Sequence, residues 1–336
     1  MLEWQPTQMT IMTKTTRNVV TGGRGLCYML LVPVLVLTGC GEDGSESSGA
    51  GATRVERPAF DGSRAFEDLV TQVDFGSRVP GSEAHQLQLE WMQDQLRETA
   101  DTVIVDPFEW VTGEGDSLNL SNLIARFGIQ FEKRILLLAH WDSRPTADQS
   151  STDAEKQMPV PGANDGASGV AVLLELARMF HEQSPPLGVD LLFTDGEDYG
   201  PTTEDMFLGA SYYANGRGQV DNPSFAILLD MVADMDPSFP VEAFSMESAP
   251  QVVQRVWSVA SELGYGRYFP MGPMTRVLDD HVKLIEAGIP TIDIIDFDYG
   301  PSNSFWHTPR DVPENTSSRT LSMVGDVVAE VVYRSR

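Results

Sequence analysis

The residues best suited to chemistry lie in one stretch, 161–199, which reads PGANDGASGVAVLLELARMFHEQSPPLGVDLLFTDGEDY. A Gly/Asn/Asp loop carrying Asp165 leads into an amphipathic pattern that predicts a helix over 168–182. A Pro-Pro-Leu-Gly break follows, and then an apolar run that predicts a strand over 189–194. Three acids, Asp195, Glu197 and Asp198, stand at the end of that strand. In an open α/β sheet the ligand crevice lies just beyond the carboxyl ends of the strands, so Asp165 and the Glu197-Asp198 pair are expected to converge there. Oxygen ligands joined by a histidine from elsewhere in the chain suit zinc. Adjacent acids on extended backbone point in different directions, so one can face a metal while its neighbour faces the reacting atoms.

The elements expected to carry these groups alternate along the chain. Helices are predicted at 61–69, 82–100, 251–263, 282–287 and 321–333, with Ser82 as an N-cap. Strands are predicted at 102–109, 121–127, 134–140, 225–230 and 289–295. The run from Ile135 to Ala139 is apolar throughout, as a strand buried on both faces requires. The pattern implies an α/β fold with a mixed, mostly parallel central sheet sandwiched by helices.

Five histidines could supply the missing ligand. His85 and His181 sit among polar neighbours in predicted helices and are expected to face solvent. His140 ends an apolar strand, His281 follows Asp279-Asp280, and His307 lies in the sequence Phe305-Trp306-His307-Thr308. A single histidine of this kind is usually a hydrogen-bonded structural residue, but here acids arrive at equivalent strand ends. Asp280 is expected to cap the helix that follows it.

Composition narrows the partners. The chain has 336 residues, 49 of them acidic and 23 basic, for a formal net charge of -26. That balance argues against nucleic acid, whose phosphates require a basic patch. Lys14, Arg17 and Arg24 precede a short apolar run that ends Leu37-Thr38-Gly39-Cys40. The pattern predicts an export signal over 1–39, too short to span a membrane, and its end resembles a bacterial lipobox, which implies that Cys40 becomes the lipidated first residue of the mature chain. A Gly/Ser/Glu-rich tether over 40–58 and one catalytic domain over 59–336 complete the expected organisation, that of a monomer anchored at the cell envelope. With Cys27 removed and Cys40 acylated, no cysteine is left for a disulfide, a metal or catalysis.

Six motifs in order, HWDS (140–143), GANDGASG (162–169), FTDGED (193–198), LLD (228–230), LDDH (278–281) and FWHT (305–308), resemble the zinc aminopeptidase-like superfamily. Within it the chain is most similar to the animal-type glutaminyl cyclases and their bacterial members, from about 75 to 333. The resemblance implies zinc held by Asp165, Asp198 and His307, with Glu197 moving protons, Asp230 and Asp279 as further acids, and Trp306 as a wall beside the substrate. It also implies peptide or protein N-termini as substrates. Many members have Glu-Glu where this chain has Glu197-Asp198, so one ligand is a methylene shorter. A two-zinc aminopeptidase on the same scaffold would recruit His140 and Asp230 to a second metal, with Asp165 bridging and Glu197 activating water. Asp279 stands where those peptidases carry a small hydroxyl residue, and Trp306 directly precedes His307, which favours the cyclase. A third possibility, a lipoprotein that only binds a ligand, sits poorly with a complete set of acids and histidine.

Overall fold

The computed structural model describes residues 56–216 and 222–335. The expected signal 1–39, Cys40 and most of the tether lie outside the described residues. Ordered packing begins before the expected boundary at 59, because Arg57 pairs with Glu330 at 2.9 Å and Asp326 at 2.9 Å.

Six strands form one sheet in the order β1-β2-β4-β3-β5-β6. They are β1 (Thr102–Val111), β2 (Ser117–Phe127), β3 (Arg134–His140), β4 (Gly188–Thr194), β5 (Ala226–Asp230) and β6 (Thr291–Ile295). β1 and β2 form an antiparallel hairpin, β2 joins β4 antiparallel, and β4, β3, β5 and β6 run parallel. The expected mixed, mostly parallel sheet is therefore the observed one.

The parallel strands are buried along their whole length, and alternation sends their side chains into two separate cores. Ile135, Leu137 and Ala139 of β3 face one core, while Leu136 and Leu138 face the other. The first core is covered by α1 (Gly62–Asp74), α2 (Glu83–Arg97), α3 (Ala167–Glu182), α6 (Pro250–Glu262) and α8 (Ser318–Arg334). The second is covered by α4 (Leu208–Gly216) and α7 (Asp280–Glu286), through Ala210, Tyr213 and Leu284. Each fully buried aliphatic or aromatic side chain contributes roughly 1.5–3 kcal/mol. The short α5 (Ala243–Ser248) packs beside β6.

α1 runs five residues beyond its expected end, with Asp61 accepting from the N–H groups of Ser63 and Arg64. Ser82 caps α2 as expected, accepting from His85 N. α3 comes close enough to the sheet that a Cβ on Gly169 would stand 2.2 Å from the Leu229 carbonyl oxygen. Only glycine permits that approach, and it draws the start of α3, next to Asp165, against the end of β5. Among the described residues no helix is long and apolar enough to cross a membrane.

Candidate active site

Because β3, β4 and β5 are parallel, His140, Thr194 and Asp230 end on one edge of the sheet, and the loops beyond them share that edge. Each functional side chain is set by a specific local device. Asp311 accepts from the N–H groups of Asn164 (2.7 Å) and Asp165 (3.1 Å), and from the Tyr299 hydroxyl at 3.0 Å. Gly166 adopts φ +90°, and a Cβ there would stand 2.8 Å from both the Asp142 carbonyl oxygen and the His140 ring. The loop can thus lie directly on His140. The two oxygens of Asp142 accept from Glu197 N and Asp198 N, each at 3.1 Å, which pins the acidic pair. His307 takes φ +51°, and Met231, directly after Asp230, takes φ +50°. Non-glycine residues persist in such conformations where surrounding structure over-determines them, commonly at functional sites.

Two groups of ligand atoms converge and share Asp165. In one, Asp165, Asp198 and His307 bring their ligand atoms within 4.8 Å of one another; His140, Asp165 and Asp230 do so in the other. His307 Nε2 is 3.5 Å from Asp165 Oδ2 and 3.4 Å from Asp198 Oδ1. A tetrahedron with zinc bonds of about 2.1 Å has edges of roughly 3.4 Å. His307 Nδ1 lies 3.2 Å from Asp148, an arrangement that leaves Nε2 as the metal-facing nitrogen. Asp198 Oδ2 is buried without a partner, and its Oδ1 accepts from Arg144 at 2.7 Å. These residues fit a zinc ion: three donors of the right kind, one carboxylate oxygen awaiting a partner, and a histidine braced by a carboxylate.

Burial and mutual repulsion dominate the electrostatics. Burial pushes Asp198 up to about 6, with Asp165 adding to it against His307 and Arg144. Asp230 is also pushed to about 6, by burial and by Asp165, against a hydrogen bond from His140. Asp279 rises to about 7 through burial and the Asp230 charge. Glu197 is driven well above its ordinary range by burial, then by Asp198 and Asp279, with His140 opposing. Burial would lift Asp165 too, but His140 and His307 hold it well below the usual carboxylate range. Burial would lower His307, but Asp198, Asp148 and Asp165 raise it to about 9. His140 is likewise raised, because Asp142, Asp165 and Asp230 outweigh its burial.

The structure brings His140, Asp165, Glu197, Asp198, Asp230 and His307 together, with Trp306 against His307. His140 Nε2 lies 3.1 Å from Asp165 and 3.2 Å from Asp230, and its Nδ1 is 3.8 Å from Glu197. Trp306 stacks on His307 with ring centres 3.8 Å apart and leans on Phe297. Two expectations are corrected. His181 is exposed as anticipated, but His85 is buried: its Nε2 is 2.8 Å from Asp195, and its ring stacks on Trp141 at 4.1 Å. A tertiary contact absent from its polar sequence neighbourhood buries it. The α7 cap is Asp279, which accepts from Asp280 N, whereas Asp280 is bonded to the Thr194 hydroxyl at 2.5 Å. Asp279 also belongs to a buried group with His281 and Asp293, and His281 Nε2 lies 3.1 Å from Glu242. The supports Asp142, Arg144, Asp148 and Asp311 were not singled out. Asp142 and Arg144 directly follow the end of β3, the one signal that pointed to them.

The sequence matches the family described as Peptidase family M28 over residues 122–332. The chain belongs to peptidase family M28. This member is 29% identical over 265 residues to a glutaminyl-peptide cyclotransferase of Drosophila melanogaster, the match covering 70% of each chain. Among solved structures it is similar to a Bacteroides thetaiotaomicron glutaminyl cyclase bound to N-acetylhistamine, with 37% identity, 84% of this chain and 100% of that one covered, and a TM-score of 0.79. A protein of the same organism described as a leucine aminopeptidase precursor matches at 37% identity, 84% and 100% coverage, and a TM-score of 0.80. The M28 fold is thus shared by proteins carrying both names.

Proposed function

We propose that this M28 protein is a glutaminyl-peptide cyclotransferase, converting the N-terminal Gln of peptides and proteins to pyroglutamate with release of ammonia. The observation that carries the reading is the third acid, Asp279. It is buried at the cap of α7 and coupled electrostatically to both Glu197 and Asp230. Both reactions need a group that takes a proton from the nucleophile and returns it to the leaving nitrogen; what favours the cyclase is an acid at 279, where the two-zinc peptidases carry a small hydroxyl residue, because a group of interacting acids serves that exchange.

Asp165, Asp198 and His307 would hold the zinc ion, which as a Lewis acid polarises the γ-carboxamide of the substrate. Glu197 is placed to accept a proton from the peptide's own α-amine. The amine nitrogen forms a bond to the carbonyl carbon of the side-chain carboxamide (Cδ), the bond from that carbon to the amide nitrogen breaks, and Glu197 returns the proton to the departing ammonia. Its raised affinity for protons brings it nearer the working pH, where such exchange is most efficient. Burial and the neighbouring acids, Asp279 among them, maintain that affinity. Trp306, stacked over His307, narrows access to the ligand side of the site and limits competing attack by water. Tethering nucleophile and electrophile in one residue makes positioning the main requirement.

The second reading is a two-zinc aminopeptidase, favoured by the convergence of His140 on both Asp165 and Asp230. With one zinc, His140 instead serves as a buried cation between two carboxylates. The deciding experiment is mass spectrometry of a Gln-initiated peptide incubated with the purified protein. Loss of ammonia from an otherwise intact peptide supports the cyclase; release of the whole first residue supports the peptidase. The metal count separates the readings again: His140→Ala is expected to leave one zinc per chain in the cyclase, and to reduce two to one in the peptidase. The lipobox-like Leu37-Thr38-Gly39-Cys40 supports an exported, membrane-anchored protein, which would act outside the cytoplasm. Labelling with a fatty-acid analogue, abolished by Cys40→Ser, tests the anchor.

A further inference from the structure

A cavity of about 440 Å³ opens beside Asp279, and its wall is formed by Trp110, Phe207, Leu208, Leu278, Val282 and Lys283. Resting on the cyclotransferase reading, we propose that it receives the side chain of the second substrate residue, the one after the N-terminal Gln, and that it selects for large apolar side chains there.

The first argument is position. Phe207 N donates to the Glu197 carbonyl oxygen at 2.9 Å, Leu208 N to Gly196 O at 3.1 Å, and Gly209 N to Asp195 O at 2.8 Å. These bonds lay the segment 207–209 along the backbone that carries the proton-transferring acid. The substrate's α-amine must come within hydrogen-bond reach of Glu197, and the second residue's Cα lies only about 3.8 Å from the Cα that carries that amine. A cavity walled by Phe207 and Asp279 begins where that residue has to emerge.

The second argument is preorganisation. Phe207 adopts φ +59°, a conformation that an aromatic residue keeps only where the surrounding structure holds it. The ring is held with Lys283 Nζ at 5.6 Å from its centre. On the opposite wall, Trp110 Nε1 donates to Asp205 at 2.9 Å, and Gly113 N donates to the same carboxylate at 3.1 Å, so the β1–β2 hairpin tip is fixed as well. Leu278 remains 58% exposed at the mouth, a large apolar surface left for a ligand to cover. Glu204 and Glu286 line the rim, and with Asp279 they oppose an acidic side chain. The expected order for the second residue is Phe or Leu, then Gly, then Glu.

The test uses the full chain and three peptides, Gln-Phe-Ala, Gln-Gly-Ala and Gln-Glu-Ala, with ammonia release as the readout. Wild type is expected to prefer Phe over Gly by about tenfold in kcat/KM, mainly through KM, because the contact is equal in ground and transition states. Phe207→Gly, which suits the positive φ, should bring that ratio close to one. Leu278→Ser, at an exposed position that does not threaten folding, should lower it about threefold. The ratio is taken within each variant, so a change in overall rate cancels. Ammonia release with a Phe/Gly ratio near one in wild type, or a ratio unchanged in both variants, overturns this inference alone. No ammonia from any of the three peptides overturns the cyclotransferase reading, and this inference with it.

Discussion

Two charge clusters are buried in this sheet, and they differ in kind. Toward the amino ends of β3 and β4, Arg134 donates to Asp190 through Nε (2.9 Å) and Nη2 (2.5 Å). Its remaining donors reach the carbonyls of Gly128, Phe127 and Val189. Arg126 completes Asp190 from the neighbouring strand at 3.0 Å. The buried carboxylate has its counter-ion in buried Arg134, the second guanidinium, Arg126, is partly exposed to solvent, and the hydrogen bonds are closed, as a buried ion pair requires. At the carboxyl ends of the same strands, Asp165, Asp198, Glu197, Asp230 and Asp279 are gathered around two histidines and one arginine. There Asp198 Oδ2, Asp279 Oδ2 and His140 Nδ1 have no hydrogen-bond partner among the described residues. Burial of charge does not distinguish a working site from a scaffold; uncompensated negative charge does. The carboxyl end is unfinished without a cation and a substrate, whereas the amino end is complete.

The contrast makes the two ends separable by mutation. At the carboxyl end, Glu197→Gln keeps the shape and removes the proton carrier. Turnover on a Gln-initiated peptide should fall by about 10²–10⁴-fold, while zinc per chain and thermal midpoint stay at wild-type levels. An active variant with full metal content would remove Glu197 from its assigned role. At the amino end, Asp190→Asn leaves Arg134 charged and buried without its counter-ion. That should destabilise the fold by about 3–5 kcal/mol in denaturant titration, with turnover per folded molecule unchanged. A loss of turnover at full stability would show that the two ends are not independent.

The contrast also marks what the amino-acid order reveals. β3 was legible to the residue because an unbroken apolar run between Arg134 and His140 has one plausible use in an α/β chain. The acids at the strand ends were legible for the same reason, since a buried strand must deliver whatever follows it to the sheet edge. The supports were not. Asp311 braces the backbone of Asp165 from 146 positions away, and no local pattern encodes such a contact. α4 was missed because its sequence, LGASYYANG, contains two glycines and shows little amphipathic period. α5 has only six residues, too few for a period to register. The burial of His85 has no local signal, since the stacking Trp141 and the partner Asp195 both come from distant strand ends.

A third buried group is built around Glu242, and pH probes it. Glu242 accepts from Phe244 N, Ser245 N and the Ser245 hydroxyl, and His281 Nε2 lies 3.1 Å away. Burial would raise its pKa, but His281 and the backbone donors hold it at about 2, against an ordinary value of 4.5. The folded-state value is depressed, so the stabilisation is present above pH about 4.5 and is lost as pH falls toward 2, where the unfolded chain binds the proton first. The shift corresponds to at most about 3 kcal/mol. The stability lost between pH 6 and pH 3, measured by denaturant midpoint, should therefore be smaller in Glu242→Gln than in wild type. Equal acid losses in the two proteins would mean that Glu242 is not held ionised by these partners.

The smallest expected effect tests the boundary between scaffold and site. Ser82 Oγ accepts from His85 N at 3.1 Å at the start of α2. The His85 side chain in turn reaches Asp195, two residues before Glu197. Removing the cap in Ser82→Ala should cost about 1 kcal/mol. Asp195 is held independently by the N–H of Ser121 at 2.7 Å, so the end of β4 should stay in place. Turnover per folded molecule is accordingly expected to match wild type within about twofold, since a capping loss of this size is borne by helix stability rather than by the site. A change in kcat larger than the change in folded fraction would show that α2 positions the acids through His85, and that the unfinished end of the sheet extends one layer further into the scaffold than its hydrogen bonds suggest.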